Sequence, residues 1–420
     1  MLKILMSAYA CEPGAGSEYG VGWMVPTTMA RKYPEDQIFV LTRSRCKEKI
    51  ENALANDPSL ANIHFLYYDI PSWMFYKNEM QSNWGEQINY LLWQWLVRRF
   101  VRKMNKIYHF DIFHHLTFNQ YRTPSPGFWL DIPFVMGPIG GAECIAPAFW
   151  EDLEPNTVKK EGIRQKGKDL KIFKWFNTRK KNNKVILCSC KENLKRLKPY
   201  GNKSRLELMP AIAFDKKDFA DISQNETQDT FEMIYAGKAW DWKGIHIFLK
   251  AAKVALIDKL SANKQNWSIK LIGIRFEEEQ KKVMGWVDEL GLQNHVTLIP
   301  FIQRSELLKM LANCSLSVYP AFRDSGSMSV LEACALGCPS ICFNAGGQDV
   351  FSDEILLKVD VADSYSETMN RFSEKLFWAY EHPQELKEIG QKAKAWVEEM
   401  LTWDRRVEDF HDIYPLAELI

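Results

Sequence analysis

The sequence has almost no net charge and no long apolar run, and each absence excludes a class of function. Lysine and arginine number 54 and aspartate and glutamate 53, which leaves a formal net charge of +1. A near-neutral chain has no general attraction for polyanions, so we expect no nucleic-acid partner. No apolar run reaches the roughly 18 residues that a membrane-spanning helix needs. The apolar start, residues 1–7, is too short for a signal peptide and predicts a buried first strand.

Paired cysteine motifs are also missing. The nine cysteines are scattered along the chain, and no Cys-x-x-Cys pair occurs. Cys334 and Cys338 have a spacing that zinc sites use, but no histidine pair lies near them in the sequence. We therefore expect reduced thiols in a cytoplasmic protein, with neither disulfides nor a metal site.

Short apolar runs alternate with helical patterns along both halves of the chain. In the first half, the runs predict strands at residues 3–7, 37–42, 63–68, 111–116, 133–136 and 185–190. In the second half they predict strands at 206–209, 231–235, 268–272, 296–299 and 316–319, with helices at 245–256, 277–290, 305–313 and 384–414. Strands separated by helices pair in parallel, so the pattern predicts doubly wound α/β domains. A polar stretch at residues 215–230 is the predicted linker.

Two loops in the second half carry charged residues directly after predicted strands. Gly237, Lys238 and Lys243 follow the strand at 231–235, and Asp324 follows the strand at 316–319. Because the carboxyl ends of parallel strands line one crevice, we expect the lysines to lie near Asp324 and Glu332. Two ammonium groups there would neutralise a diphosphate and stabilise charge on a departing oxygen. Taken singly, either lysine is typical of a solvated surface.

Small polar residues precede the helix that carries Glu332. If Ser327 or Ser329 caps this helix, the amides of its first turn favour an anion. Asp324 and Glu332 on either side would bind hydroxyl groups, which suits a nucleotide sugar. The spacing alone equally allows an ordinary βαβ turn with surface acids. In the first half, Ser17 is a second predicted N-cap, at the end of a glycine-containing loop.

Together these motifs resemble retaining glycosyltransferase family 4 of the GT-B fold, the glycosyl transferases group 1. That family usually shows Gly-Arg…Lys-Gly, then Glu-Gly-Phe-Gly…Leu-Glu-Ala…Gly-x-Pro-Val…Gly-Gly. The matching residues are Gly237-Lys238, Lys243-Gly244, Asp324–Ala333, Gly337–Pro339 and Gly346-Gly347. The first half fits one subgroup through Ala10–Glu18, Gly20, Gly22-Trp23, His114–Thr117 and Gly137–Gly141.

The resemblance implies roles for the matching residues of the second half. Glu332 would hold the ribose hydroxyls of the donor, and Asp324 would contact the donor sugar. Lys243 would bind phosphate, and Lys238, next to Gly237, would add positive charge there. The helix start at Ser327, through the amides of Met328 and Ser329, would meet the distal phosphate.

The resemblance also implies roles for the first half. Gly16 and Ser17 would bring their loop against the phosphates or the acceptor. His115, or its neighbour His114, would lie near the anomeric region of the sugar. The alternative is that one imidazole lies in the core and the other on the surface.

Three positions depart from the family pattern. Asp324 stands where glutamate is usual, which shortens the reach by one methylene. Lys238 replaces arginine and lacks its bidentate fork. The segment Gly273–Arg275 replaces the usual Gly-x-Gly after a strand, so base recognition does not follow from it. None of these changes removes the charge that the chemistry needs, so we expect an active enzyme.

The resemblance implies two Rossmann-like doubly wound domains that face each other across a cleft. We predict an acceptor-binding domain at residues 1–212 and a nucleotide-sugar-binding domain at 213–396. A C-terminal helix, about 397–420, would pack back on the first domain.

The implied reaction moves a sugar from a nucleoside diphosphate sugar, UDP- or GDP-linked, to an acceptor hydroxyl with retention and without a metal or cofactor. The product would belong to polysaccharide, glycolipid or other glycoconjugate biosynthesis. A GT-B nucleotide-sugar epimerase and a non-catalytic nucleotide-sugar-binding homologue are the alternatives.

Two segments combine aromatic and basic residues. Residues 84–108 predict a helix that either lies on an anionic membrane surface or packs in the core with basic last turns. Residues 159–184 carry lysine and arginine around Phe173, Trp175 and Phe176. Both segments suit a sugar or lipid-linked acceptor at the inner membrane face, and both also suit a solvated charged surface.

Overall fold

The computed structural model describes residues 1–74, 83–167, 170–179, 184–201, 204–223, 230–260 and 266–418. The chain forms two compact units. Unit 1 consists of Met1–Ala142, Gly167–Ala211 and Trp403–Ile420, and unit 2 of Glu143–Lys166 and Ile212–Thr402. The polar linker predicted at 215–230 lies within unit 2, and its residues 224–229 lie outside the described part of the chain.

Unit 1 is built on a parallel sheet of seven strands. The strands are β1 Lys3–Ser7, β2 Gln37–Thr42, β3 Ile63–Tyr67, β4 Ile112–His115, β5 Phe134–Ile139, β6 Lys184–Cys188 and β7 Arg205–Leu208. Their order across the sheet is β3-β2-β1-β4-β5-β6-β7, and every pair is parallel. The order reverses between β1 and β4, so the loops after these two strands lie side by side at the carboxyl edge.

The helices of unit 1 cover the sheet with apolar faces. They are α1 Ser17–Lys32, α2 Lys47–Ala55, α3 Asn83–Tyr108, α5 Leu170–Arg179, α6 Lys191–Leu197 and α13 Trp403–Glu418. Helix α3 buries Tyr90, Trp93, Val97 and Val101 in the core cluster of this unit. That spacing places the four side chains on one face of the helix. This face packs in the core, which is one of the two interpretations predicted for residues 84–108.

Unit 2 contains a parallel sheet of six strands. The strands are β8 Phe231–Ala236, β9 Trp267–Ile272, β10 Val296–Ile299, β11 Leu316–Tyr319, β12 Ser340–Phe343 and β13 Leu357–Val359. Their order is β10-β9-β8-β11-β12-β13. Here the order reverses between β8 and β11, which are directly paired. Both units are therefore doubly wound, as the alternating pattern predicts.

Seven helices are described in unit 2. They are α4 Pro155–Gln165, α7 Ile245–Ala252, α8 Glu277–Glu289, α9 Arg304–Asn313, α10 Met328–Ala335, α11 Tyr365–Glu381 and α12 Pro383–Met400. The helix predicted at 245–256 is α-helical only to Ala252 and continues as a π-helical turn, Lys253–Asp258. The helix predicted at 384–414 is two helices, because α12 ends at Met400 and α13 begins at Trp403.

The division of the chain differs from the predicted domains in two places. Residues 143–166 pack with unit 2, where Phe149 stacks on Phe322 with ring centroids 4.0 Å apart. Helix α12 also stays in unit 2, because Ala393 and Val397 are buried in its core. The return to unit 1 therefore begins at Trp403. Within the described ranges, no helix is both long and apolar enough to cross a membrane.

Candidate functional site

The loops that follow β8 and β11 pack against each other at the carboxyl edge of the sheet in unit 2. The amide of Phe322 donates to the Trp242 carbonyl oxygen at 2.9 Å. Gly244 has a φ of +72°, and a Cβ atom there would lie 2.0 Å from the Pro320 carbonyl oxygen. Only glycine fits this position without a shift of the backbone. The contact brings Lys243 and Asp324 to the same place.

Lys243, Asp324 and Tyr319 form a closed polar cluster. The Lys243 ammonium group pairs with Oδ2 of Asp324 and donates to the Tyr319 hydroxyl at 3.0 Å. Tyr319 in turn donates to Asp324, whose Oδ1 accepts from the Gly326 amide at 3.1 Å. Burial alone would raise the pKa of Asp324, but the charge of Lys243 and these hydrogen bonds outweigh it and lower the pKa. Asp324 is thus held as a carboxylate beside a cation.

Lys238 and Gly237 lie on the same loop but outside this cluster. The Lys238 side chain is exposed, with Nζ 4.3 Å from the centre of the Trp240 ring. The Gly237 amide donates to the Ile272 carbonyl oxygen at 2.9 Å, which fastens the loop to β9. Lys238 therefore is free to move toward a ligand, whereas the Gly237 amide is engaged.

The helix start beside Asp324 differs from the predicted side-chain cap. Ser327 occupies the N-cap position of α10 with a φ of +45°, but its side chain makes no capping hydrogen bond. Its hydroxyl donates to Gln348 at 3.0 Å, and the Ser329 hydroxyl donates to the Ala236 carbonyl oxygen at 3.3 Å. The prediction of a Ser327 or Ser329 cap is therefore wrong, because both hydroxyls have tertiary partners. The amides of Met328 and Ser329 precede the first intrahelical bond and form the positive end of the helix.

Glu332 lies one turn into α10 and is paired with a residue that sequence reasoning missed. Its carboxylate is 9% exposed and accepts from Nε of Arg304 at 2.8 Å. Arg304 also contacts Asp218 at 3.3 Å, and its side chain is half exposed. Burial raises the pKa of Glu332, and Arg304 opposes that shift. No sequence motif points to Arg304, which lies at the start of α9, the helix between β10 and β11.

The Gly346-Gly347 pair packs against the backbone of Asp324. The Gly347 amide donates to the Asp324 carbonyl oxygen at 2.6 Å. Gly346 has a φ of +60°, and a Cβ atom there would lie 2.5 Å from the same oxygen. The close approach explains the Gly-Gly motif at the end of the sequence pattern.

The segment at 143–166 fastens the other side of the Asp324 loop. Glu143, which is almost fully buried, accepts from the Ser325 hydroxyl at 2.6 Å. Arg323 pairs with the buried carboxylate of Glu161, which also accepts from the Ile145 amide at 3.1 Å. Because these partners are far apart in the sequence, no local pattern indicates them.

The predicted residues of the first half lie in unit 1. Gly16, not Ser17, is the N-cap of α1, and Ser17 is the first helical residue with a φ of +55°. The predicted Ser17 cap is therefore wrong. Both residues are exposed, and a Cβ atom at Gly16 would meet no atom within 4 Å.

Both histidines at the end of β4 are fully buried. His114 contacts the Tyr414 hydroxyl and the Gly137 carbonyl oxygen, each at 3.0 Å. Nε2 of His115 lies 3.1 Å from both the Tyr90 hydroxyl and the Thr117 carbonyl oxygen, so we assign the proton to Nε2. Nδ1 of His115 has no hydrogen-bond partner among the described residues.

Burial lowers the pKa of both imidazoles. The pKa falls to about 4 for His114 and to about 3 for His115. Two core imidazoles replace the predicted alternative of one core and one surface ring. His115 is neutral at physiological pH and can accept a hydrogen bond at Nδ1, but it is a poor general acid or base there.

The cysteines and the acidic residues show no metal-binding arrangement in the described ranges. No group of three or more His, Cys, Asp or Glu side chains there could hold an ion. The nine cysteines, all of them among the described residues, form no disulfide, and Sγ of Cys338 lies 3.3 Å from Sγ of Cys314.

Comparison with known proteins shows which families and structures the chain is similar to. Residues 216–396 match the family model described as glycosyl transferases group 1. The chain is 26% identical over 119 residues to the D-inositol 3-phosphate glycosyltransferase of Paenarthrobacter aurescens. That match covers 28% of this chain and spans 28% of the relative's length.

Solved structures match over nearly the whole chain. Sucrose-phosphate synthase from Thermosynechococcus elongatus aligns with a TM-score of 0.64 at 15% identity, covering 99% of both chains. Anabaena HepE, solved in complex with UDP and glucose, aligns with a TM-score of 0.60 at 14% identity over 98% of this chain and 99% of its own. These matches show the GT-B fold, so the fold prediction is confirmed. The family-model match supports the glycosyltransferase class.

Proposed function

We propose that this chain is a retaining glycosyltransferase of family 4. It transfers a sugar from a UDP- or GDP-sugar to an acceptor hydroxyl in polysaccharide, glycolipid or other glycoconjugate biosynthesis. The observation that carries the proposal is the gathering of Lys243, Asp324 and Glu332 around the start of α10. One cation, two hydroxyl-binding carboxylates and free first-turn amides match the charges and hydroxyls of a nucleotide sugar.

Donor binding exchanges partners within this cluster. The ribose hydroxyls donate hydrogen bonds to the Glu332 carboxylate. The diphosphate oxygens accept hydrogen bonds from the Lys243 ammonium group and from the amides of Met328 and Ser329. Lys238, exposed on the same loop, swings toward the phosphates. Asp324, released from Lys243, contacts the hydroxyls of the donor sugar. A contact to the donor thus replaces each ion pair of the site.

The chemical step needs stabilisation of the leaving group more than acid–base catalysis. The acceptor oxygen bonds to the anomeric carbon on the face from which the diphosphate departs. The bond from that carbon to the phosphate oxygen breaks, its electron pair stays on the diphosphate, and the acceptor proton passes to that leaving group. Lys243 and the helix start stabilise the growing negative charge, so no metal is required.

Thermal shift with candidate donors tests the site, because a ligand of the native state raises the melting temperature. We expect a UDP- or GDP-sugar to raise the melting temperature of the wild type, and other nucleotide sugars to raise it less. Lys243→Ala and Glu332→Ala should each lower transfer by about 100-fold or more. Each variant should still melt in one cooperative transition, at a lower temperature than the wild type, because the partner charge loses its ion pair.

Matched controls lie on α8. Lys281→Ala and Glu277→Ala remove the same charges from an exposed pair on the surface of unit 2. Both should retain wild-type transfer and donor-induced shifts. Near-normal turnover in either site variant would refute the assignment. No shift with any nucleotide sugar would refute donor binding.

The same assay separates the two alternative functions. An epimerase converts the donor with no acceptor present, and a non-catalytic homologue binds the donor but forms no product. We expect neither: donor consumption should require an acceptor.

The acceptor is proposed to be a sugar or a lipid-linked sugar, with peripheral membrane contact through 84–108 and 159–184. Helix α3 exposes Leu91 and Trp95, and α5 exposes Ile172 and Trp175. Residues 168–169 and 180–183 of the second segment lie outside the described residues. Flotation with anionic liposomes tests the contact, and protein that stays at the bottom of the gradient argues against it.

A further inference from the structure

A second cationic cavity lies in unit 1, on a part of α3 that the proposed donor site does not use. Its volume is about 480 Å³. The lining residues are Tyr68, Trp95, Leu96, Arg98, Arg99, Phe100 and Arg102. Three guanidinium groups and three aromatic rings thus line one concave surface. All of them lie within eight consecutive positions of α3, except Tyr68, which lies in a loop.

The Arg98 guanidinium is held in place by aromatic rings. Its Cζ atom lies 3.3 Å from the ring centre of Trp95 and 4.5 Å from that of Trp129. Nε of Arg98 donates to the Trp95 carbonyl oxygen at 2.6 Å. This leaves the two terminal nitrogens of the fork for an anion. A guanidinium that is already stacked loses little side-chain entropy when it binds.

The positive charge of the cavity has no acidic partner among the residues that the structure describes. Arg98, Arg99 and Arg102 form no ion pair with the carboxylates in the described ranges, although Arg31, Arg304 and Arg323 elsewhere do. Arg102 reaches only the Trp129 carbonyl oxygen, at 3.4 Å. Burial, with the like charges of Arg102 and Arg99, lowers the pKa of Arg98. Such crowding is relieved when an anion binds.

We propose that this cavity binds a phosphate-bearing ligand, with the forks of Arg98, Arg99 and Arg102 on the phosphate oxygens. Arginine forks match phosphate geometry in a bidentate manner. Tyr68, Leu96 and Phe100 form an apolar wall for the group that carries the phosphate. Soluble phosphate esters and lipid head groups share this chemistry. The site is separate from the donor site in its residues, and its test does not depend on glycosyl transfer.

Calorimetry with inorganic pyrophosphate tests the cavity. The titration is made in a Lys238→Ala/Lys243→Ala background, so that the lysines proposed to hold the donor diphosphate contribute nothing. Arg99→Gln/Arg102→Gln should weaken binding by roughly 100-fold, since each lost charged hydrogen bond costs about tenfold. Lys103→Gln/Lys106→Gln is the matched control: it removes two exposed charges from the same helix outside the cavity. It should change binding by less than about threefold.

A conservative variant and a vesicle assay complete the test. Arg98→Lys keeps the charge but loses the fork, so it should weaken binding by about tenfold. Vesicles of phosphatidylcholine with phosphatidic acid present the same phosphate on a lipid. If the protein binds vesicles but not pyrophosphate, and only Arg99→Gln/Arg102→Gln abolishes vesicle binding, then the ligand of the cavity is a lipid head group. Failure to bind either probe, or equal losses in the two double variants, overturns the proposal.

Discussion

The buried charges of the candidate site are paired with other residues of the site. Lys243 is paired with Asp324, and Glu332 with Arg304. Unpaired charges at such depth would destabilise unit 2. The pairs therefore preserve the site in its ionised form. Donor binding then replaces these ion pairs with ionic contacts to the donor. The new contacts offset the free energy that is needed to break the pairs.

The buried histidines of β4 make stability depend on pH. His115 keeps a pKa of about 3 in the folded protein, against about 6.5 in the unfolded chain. The unfolded state therefore binds the proton first as pH falls below about 6.5, and stability is lost. Between pH 7 and pH 5, His115 alone should cost about 2 kcal/mol. Chemical denaturation of the wild type and His115→Asn at both pH values measures this cost.

The variant serves as its own control, because only the change with pH is compared. His115→Asn can lower stability at pH 7 by disturbing the core. Its additional loss at pH 5 should nevertheless be about 2 kcal/mol smaller than that of the wild type. An equal loss in both proteins would show that His115 is protonated in the folded state.

The site residues divide into those that local sequence indicates and those that it does not. Lys243 and Asp324 follow strands in a parallel sheet, so strand prediction alone places them at one edge. Glu332 lies on the helix that comes next after Asp324. Tyr319 looks like an ordinary strand residue, yet its hydroxyl completes the cluster. Arg304 was likewise invisible, because its partner Glu332 lies on another helix.

At the scale of elements, Gly244 couples the loop of β8 to that of β11. Gly244→Ala places a methyl group against the Pro320 carbonyl oxygen and forces a β-carbon into left-handed backbone. We expect a loss of at least about 2 kcal/mol in the free energy of unfolding, with weaker donor binding. Gly285→Ala is the control, since a Cβ atom there meets nothing and α8 gains about 0.5–1 kcal/mol. Similar melting curves for the two variants would contradict the coupling.

The ion pair between α4 and the loop of β11 holds the segment at 143–166 in unit 2. Glu161→Gln removes the buried carboxylate that pairs with the guanidinium groups of Arg323 and Arg164. The free energy of unfolding should fall by about 3 kcal/mol. Glu277→Gln breaks an exposed pair on α8 and should change it by less than about 0.5 kcal/mol. Urea denaturation distinguishes these values, and equal effects would mean that the buried pair is dispensable.

Short apolar runs predicted the correct element types, but two elements of unit 2 were not predicted. β1, β2, β10 and β11 match their predicted bounds because each is a short β-branched or aromatic run between turn residues. Helix α11 and the three-residue strand β13 were not predicted. The strand is too short to show an alternation, and its pairing with β12 depends on tertiary contacts.

At the scale of the whole molecule, the chain passes between the two units four times, after Ala142, Lys166, Ala211 and Thr402. The passage after Ala211 is visible in the sequence, because the alternation of strand and helix patterns starts again near residue 212. The first two are not visible, because residues 143–166 follow a strand of unit 1 without a break in composition. Their place is decided by buried contacts to residues more than a hundred positions away.

This organisation predicts how fragments will behave. Residues 212–402 expressed alone lack Phe149, which stacks on Phe322, and Asp152, which contacts His246 and Lys250 at 3.0 and 3.3 Å. We expect this fragment to melt without cooperativity, because apolar surface and unpaired cations are left exposed. Residues 143–166 joined to 212–402 by a flexible linker should melt in one cooperative transition in calorimetry. Phe149→Ala in the joined fragment should abolish the cooperative transition. If the short fragment, the joined fragment and the variant all melt alike, unit 2 does not need residues 143–166.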